Sequence, residues 1–433
     1  MKASSSQWQI FWPLLSFLPL LFCASCAIFF GPHYDDAPLP QATQERTNTC
    51  QSLAAFWAAE NPSVVAAWQN FNRENHLASQ ASFIERAVLW SLLQMNVRPD
   101  LASPAAHLQI VVTLRGQEAR YYAFAPTAQA PYLAALKYIL QRYPHQHSLA
   151  SLAALLDRRF KDSLTVDASL ALFLAQHPQA FNSSWGKKYF FKGGQILRQG
   201  ESLPKMHFYD LVMQFKQDEA PTLAAKLYPV DGHLGLSCSQ DLAKYQQNDY
   251  QIAPEISPYH FFAFTDEAGN SFMAASSLRP IMKNGIYQAA AQFTLAGEAP
   301  LAPAAICLGE QRGHRLQVMA ADDRDPAQHL MHLIELNLTT YVPQELERLN
   351  QLGRYLFLQR PPRLLVESAR MPEEQIEHFL AMNFPLYHVR QMGHLWFSWQ
   401  RKNQCGIITD SRHPMAIYCP REKALSTAAT VNH

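Results

Sequence analysis

The chain reads as an α+β protein, with a helix-rich N-terminal part carrying short hairpins and a C-terminal part of antiparallel sheet plus helices. Three observations predict this class. Apolar residues recur at helical spacing in several stretches between Ser82 and Gln176. After the polar segment Lys216 to Pro221 the texture changes to short runs of aromatic and β-branched residues bounded by Gly, Asn and Asp turns. Hydrophobic residues make up 48% and aromatics 12%, enough to bury a sizeable core and to exclude a disordered chain.

Taken in order, Ser82 to Met95 places Phe83, Ala87 and Trp90 in helical phase and ends before Pro99. His107 to Thr113 and Arg120 to Phe124 flank Arg115-Gly116-Gln117-Glu118, a hairpin pattern. Helices follow at Pro131 to Tyr143 (Leu133, Leu136, Leu140), at Ser148 to Phe160 (Leu149, Leu152, Leu156) and at Asp167 to Gln176, before Pro178. A second hairpin is expected over Lys188 to Arg198, turning at Gly193-Gly194. Lys216 to Pro221 then divides a helix-rich domain (48–217) from an α+β domain (222–424), with a frayed tail at 425–433. In the second domain His260 to Thr265 and Ser271 to Ala275 surround a turn at Glu267-Ala268-Gly269-Asn270. Ile286 to Leu295, Arg315 to Met319 and Arg354 to Leu358 read as strands, and Pro326 to Leu336 and Pro372 to Met382 as helices. Leu386 to Gln400 reads as a hairpin through Gly393, with Leu395, Phe397 and Trp399 on one face. No internal repeat is present.

Ile10 to Cys26 contains no charged residue. Lys2 precedes it, Ile10 to Phe22 is an apolar core, and the small residues Ala24 and Ser25 stand directly before Cys26. This leader resembles the lipobox of bacterial lipoproteins, apart from Cys23, where that pattern has a branched aliphatic residue. The resemblance covers the leader alone. It implies removal of residues 1–25, lipidation of Cys26, and a cell-envelope location facing the periplasm or cell surface. The alternatives are simple secretion and a single transmembrane anchor over Ile10 to Phe30, 21 residues long, against which Pro13 and Pro19 count. Residues 26–47 would form the anchor and a tether, Gly31 to Thr47 holding three prolines.

A net charge of +1 creates no field that would gather nucleic acid; the lipid anchor makes a membrane the expected partner, with an envelope protein or glycan as further candidates. Outside the cytoplasm disulfides are permitted. Cys405 and Cys419 flank the turn-rich Asp410-Ser411-Arg412-His413-Pro414 and form the expected pair, the plainer reading being two separately buried thiols. No C-x-x-C pair exists, which argues against a cysteine zinc site.

Four patterns carry candidate chemistry. Asp322, Asp323 and Asp325 precede a helix containing His329, His332 and Glu335, a set able to hold a divalent or transition metal. Its plainer reading is an Asp-Pro helix start followed by the wet face of an amphipathic helix, formed by Gln328, His329, His332 and Glu335. Asp231, His233 and Cys238 could form a thiol nucleophile with its base, or a turn whose cysteine is disulfide-bonded or buried. Trp185, Lys187, Lys188, Tyr189 and Lys192 mix aromatic and basic groups suited to lipid headgroups or glycan, or to guarding a strand edge. Ser184-x-x-Lys187 and Ser202-x-x-Lys205 match a serine–lysine motif, but neither serine is expected to open a helix. No prosthetic cofactor is expected, and a metal only at the aspartate–histidine set. The anchor, tether and absence of a catalytic motif lead to the expectation of a non-catalytic binding or scaffolding module. The alternative is an exported hydrolase, dependent on that metal set or on Cys238.

Overall fold

A computed structural model describes residues 49–419, leaving out chiefly 53–54, 125–129, 179–183, 215–224, 233–234, 245–257, 299–303 and scattered single positions. Lipidation of Cys26 therefore falls outside the described residues. Among the described residues no helix is long and apolar enough to cross a membrane.

The main unit opens with β1 (Thr49–Ser52), β2 (Phe56–Ala59), α1 (Pro62–Glu74) and α2 (Phe83–Val97). It continues with β3 (His107–Thr113), β4 (Arg120–Phe124), α3 (Pro131–Arg142), α4 (Leu149–Arg159), α5 (Ala168–Gln176), α6 (Ser184–Phe190) and α7 (Phe208–Gln214). Next come β5 (Tyr228–Pro229), β6 (Leu236–Cys238), β7 (His260–Thr265), β8 (Ser271–Ser277), β9 (Ala305–Gln311), β10 (His314–Ala321), α8 (Pro326–Glu335) and α9 (Pro343–Gln351). A separate unit over Gly353–Met392 holds β11 (Tyr355–Gln359), β12 (Pro362–Val366), α10 (Glu373–Ala381) and β13 (Leu386–His388). The main unit then closes with β14 (His394–Arg401), β15 (Gln404–Ile408) and β16 (Ala416–Tyr418).

The predicted α+β class is what the chain adopts. Two antiparallel sheets carry the main unit, one in the order β16-β2-β7-β8-β3-β4 and the other β1-β15-β14-β10-β9-β6-β5. Side-chain alternation shows how they stack. In β7, Phe262 and Phe264 join Trp68, Phe83 and Trp90 in a core against the N-terminal helices, while Phe261 and Ala263 join Met273, Met319 and Trp396 between the sheets. In β14, Leu395, Phe397 and Trp399 face the other way, into a core with Leu330, Leu333, Leu346 and Leu349 of α8 and α9. The result is four layers, helix–sheet–sheet–helix. Each central strand is buried on both faces, which is why runs such as Phe261 to Phe264 are continuously apolar. Phe261 stacks on Trp396 across the gap, ring centroids 4.6 Å apart, an aromatic pair worth about 0.5–1.5 kcal/mol beyond its buried area.

α2 is buried along its whole length. Its start is a capping box, Ser82 Oγ accepting from Glu85 N–H at 3.2 Å and Glu85 Oε2 accepting from Ser82 N–H at 2.6 Å. Glu85 also accepts from the backbone N–H groups of Gln146 and His147. Burial alone would raise this carboxyl, but those donors bring it down to about 2.

Several expectations are corrected. The division at Lys216 to Pro221 is not a boundary between domains, because β2, β3 and β4 share one sheet with β7, β8 and β16. The expected hairpin over Lys188 to Arg198 is reduced to Phe191–Lys192 paired with Gln195–Ile196, since α6 runs on to Phe190. Ser184 does open that helix, against expectation. The stretch Ile286 to Leu295 holds only short strands, Ile286–Tyr287, Ala289–Ala291 and Thr294–Leu295. Leu386 to Gln400 is not a hairpin: Leu386–His388 lies parallel to β12, whereas His394–Arg401 pairs with β10 and β15. Within Gly353–Met392, Glu367 closes the base by accepting from the N–H groups of Arg354 (2.9 Å) and Met392 (2.6 Å).

The cysteine pairing also differs. Cys238 of β6 is bonded to Cys307 of β9, directly opposite in the register. Cys405 keeps its thiol. It lies on β15 of the seven-stranded sheet, while Cys419 follows β16 at the edge of the six-stranded sheet, so the two are not cross-strand neighbours. The bridge spans 69 residues, a loop closure worth about 4 kcal/mol. Cys307→Ser is expected to lower unfolding stability by about 4 kcal/mol, measured by denaturant unfolding against the wild type. An unchanged midpoint would show that the bond does not hold this edge.

Candidate functional site

The ends of several strands converge at one end of the sandwich. β2 finishes at Ala59 and β7 begins at His260, β10 finishes at Ala321 directly opposite His394, and β15 runs out into Thr409 to His413. At each of these ends the sequence changes from apolar to ionisable.

Glu60 is the centre of the cluster. Asn61 ends the strand by capping α1, its Oδ1 accepting from Ser63 N–H at 2.9 Å with Pro62 in the first turn. This leaves the Glu60 carboxylate among Arg98, His260 and His413, with its own side chain 3% exposed. Arg98 ion-pairs with Glu60 and grips Asp100 with two nitrogens, at 3.1 and 2.9 Å. His260 Nδ1 lies 3.2 Å from Glu60 Oε2, and its Nε2 lies 3.0 Å from Gln94 Oε1 of α2. The Phe261 N–H donates to Glu60 Oε1 at 3.3 Å. Burial alone would push this carboxyl up, but the charges of Arg98, His260 and His413 outweigh it and hold it well below the usual range.

A second carboxylate–imidazole pair lies beside the first. Asp322 pairs with His394 Nδ1 and also accepts from the Tyr259 N–H. The backbone of Asp322 sits in the left-handed region, φ 61°, a conformation that aspartate tolerates better than most residues. His394 and His413 lie with ring centroids 4.5 Å apart, so two imidazoles stand between the Glu60 and Asp322 carboxylates. His413 is the most open of the four at 24% side-chain exposure, with Asp322 and His394 at 13%. Next to His394 in the chain, a Cβ on Gly393 would lie 2.7 Å from Nε2 of His329, the partner of Asp323.

Of the residues singled out from sequence, only Asp322 belongs to this cluster. Asp323 instead holds His329, Oδ2 to Nε2 at 2.7 Å, and Asp325 accepts from Gln328 Nε2 at 3.1 Å. Gln328, His329 and His332 are buried and Glu335 is exposed, so this stripe is not the expected wet face. α8 lies against the sheet, and His329 and Gln328 find carboxylate partners there through His329 Nε2 and Gln328 Nε2. Three aspartates directed at different partners do not form a cation cage, and among the described residues no group of three or more His, Cys, Asp or Glu is placed to hold a metal. Cys238 is no thiol nucleophile, because it is disulfide-bonded. Asp231 is exposed and His233 lies outside the described residues. Lys187, Lys188 and Lys192 are exposed while Tyr189 is buried, and the Trp185 side chain is outside the described residues.

Glu60, Arg98, His260, His394 and His413 were missed. Three of them carried a signal: Glu60 follows Phe56-Trp57-Ala58-Ala59, His260 opens His260-Phe261-Phe262-Ala263-Phe264, and His394 opens His394-Leu395-Trp396-Phe397. A lone ionisable residue at the end of a doubly buried strand has no solvent to face.

No protein-family model matches this chain. No curated protein matches it either. Solved structures do. Cephalosporin acylase from Bacillus halodurans is 10% identical, with 90% of this chain and 100% of that chain covered at a TM-score of 0.60. Two LmbA2991 structures are each 9% identical, covering 86% of this chain and 99% of theirs, also at 0.60. At these identities the likeness establishes a shared fold. It counts against the expectation of a non-catalytic binding or scaffolding module, because an acylase shares this fold over its whole length, and it favours the hydrolase alternative.

The cluster has a pH signature. Burial would lower His413, but Glu60 and then Asp322 more than offset this and raise it from 6.5 to about 9. A folded value above the unfolded one means that its stabilisation is complete below pH 6.5 and is lost as pH rises through about 9. Wild type is therefore expected to lose stability across that window more steeply than His413→Asn, measured by denaturant midpoints at pH values on either side. Equal slopes in the two proteins would show that His413 is not held cationic.

Proposed function

We propose that this chain is an exported amide hydrolase of the acylase kind, working through Asp322, His394 and His413. The observation that carries the reading is the four-layer fold shared with cephalosporin acylase over 100% of that chain. The buried ionisable cluster supplies the chemistry, since groups held by burial and specific charges concentrate at functional sites. With Nδ1 of His394 donating to Asp322, the carboxylate orients the ring and leaves Nε2 as a base.

In this reading Nε2 takes a proton from water as the water oxygen bonds to the amide carbon. The carbonyl π pair moves onto oxygen, giving a tetrahedral oxyanion. His413, cationic at neutral pH and beside His394, stabilises that charge. The intermediate collapses with cleavage of the C–N bond, and the proton on His394 passes to the leaving amine. The products are a carboxylic acid and an amine. No metal and no protein thiol take part in this scheme, so it departs from both hydrolase forms suggested by sequence.

The Cys238–Cys307 bond supports an oxidising compartment, in keeping with the apolar leader Ile10 to Cys26. Attachment to a membrane through Cys26 belongs to this proposal, with the cell envelope as the place of action.

The test is hydrolysis of a panel of N-acyl amino acids, acylated aromatic amines and a β-lactam side-chain amide, followed by release of the amine. Wild type is expected to turn over at least one substrate. His394→Ala and Asp322→Asn should each lower kcat about 10²–10⁴-fold, and His413→Gln should lower kcat with little change in KM. An inert wild type across the panel, or turnover unaffected by His394→Ala, would sink the reading.

A further inference from the structure

The inner faces of the two sheets are apolar at mid-length and become polar again at the end opposite the ionisable cluster. β7 runs from His260 at the cluster to Thr265 at the far end, and β8 returns from Ser271, directly opposite Thr265. From the other sheet, Gln317 of β10 stands opposite Ser398 of β14, and Gln400 opposite Cys405. Alternation sets their direction. Phe261, Ala263 and Met273 face the inter-sheet core, so Thr265 and Ser271 do too, and likewise Gln317 follows Met319 and Ser398 follows Trp396.

These six side chains line a cleft whose space for water is about 10 Å³, room for about one molecule. Thr265, Ser271 and Gln317 are 1%, 7% and 5% exposed. Among the described residues Thr265 Oγ1, Ser271 Oγ and Gln317 Oε1 have no hydrogen-bond partner. The other end of the Gln317 amide is used, its Nε2 donating to Thr113 Oγ1. Buried polar groups are nearly always satisfied by protein or by ordered water. Three orphans from two facing sheets, around one opening, match the two to four polar partners that a buried water takes.

We propose that this cleft is a built water site, in which ordered water bridges the Thr265 and Ser271 hydroxyls of one sheet to the Gln317 carbonyl of the other. The water completes the hydrogen bonding where the apolar inter-sheet packing stops. It joins the two sheets at the end that the Glu60 cluster does not reach, and it is independent of the proposed hydrolysis.

Oxygen-17 relaxation dispersion on the intact protein counts long-lived buried waters directly. Thr265→Val keeps the shape of the side chain and deletes one partner, and Ser271→Ala deletes a second. Each is expected to lower the count of long-lived waters relative to wild type, and a loss of about 2–4 °C in Tm should accompany it. An unchanged count in both variants would overturn the proposal. In a dry cleft, replacing an orphan hydroxyl by a methyl should also raise Tm. Ser271→Ala decides the matter if Thr265→Val does not fold.

Discussion

The structure depends on keeping one carboxylate ionised where there is no water. Taking Glu60 out of solvent costs several kcal/mol, and nothing on its own strand can offset that. The compensation arrives from separate layers. Arg98 comes from the end of α2, His260 and the Phe261 N–H from β7 of the same sheet, and His413 from the loop after β15 of the facing sheet. An ionised Glu60 is therefore tolerable only once a helix layer and both sheets have come together. The group that gathers charge at this end of the sandwich is the same one that requires it to be assembled.

Much of the fold was legible because its signals are local. The strands His107–Thr113, Arg120–Phe124 and His260–Thr265 and the helix Phe83–Val97 follow from periodicity and turn chemistry within each segment. Pairing was not legible. Gly393 looks like a hairpin turn beside Leu395, Phe397 and Trp399, yet it marks the return from the Gly353–Met392 unit into a central strand whose neighbours begin at His314 and Gln404. The same limit defeated the cysteines, because Cys238 and Cys307 meet only through the register of β6 and β9, 69 residues apart.

The site was legible only at Asp322, and the reason is again a matter of layers. A search for clustered ionisable residues along the chain favours Asp322 to Glu335, where six candidates are consecutive turns of one helix and its approach. Helix geometry and the sheet beneath it send those side chains to different partners, Asp323 to His329 and Asp325 to Gln328. The working groups are isolated in sequence, one at the end of each strand. Antiparallel pairing then brings the ends together: Ala59 opposite Phe262, Ala321 opposite His394, Ala59 again opposite Ala416 just beyond His413.

Two departures from ordinary backbone behaviour bear on what the cluster does. Asp322 takes a positive φ and Gly393 lies where no side chain would fit, and these two residues flank the Asp322–His394 pair from opposite strands. Neither is needed for apolar packing, which ends one residue before Asp322 at Ala321 and resumes two residues after Gly393 at Leu395. At Asp322 the carboxylate accepts from the Tyr259 N–H and pairs with His394, which lies against His413, while a side chain on Gly393 would strike His329. The positive φ of Asp322 thus falls at the ionisable cluster and not in the apolar core, which is where sparsely populated backbone conformations tend to gather.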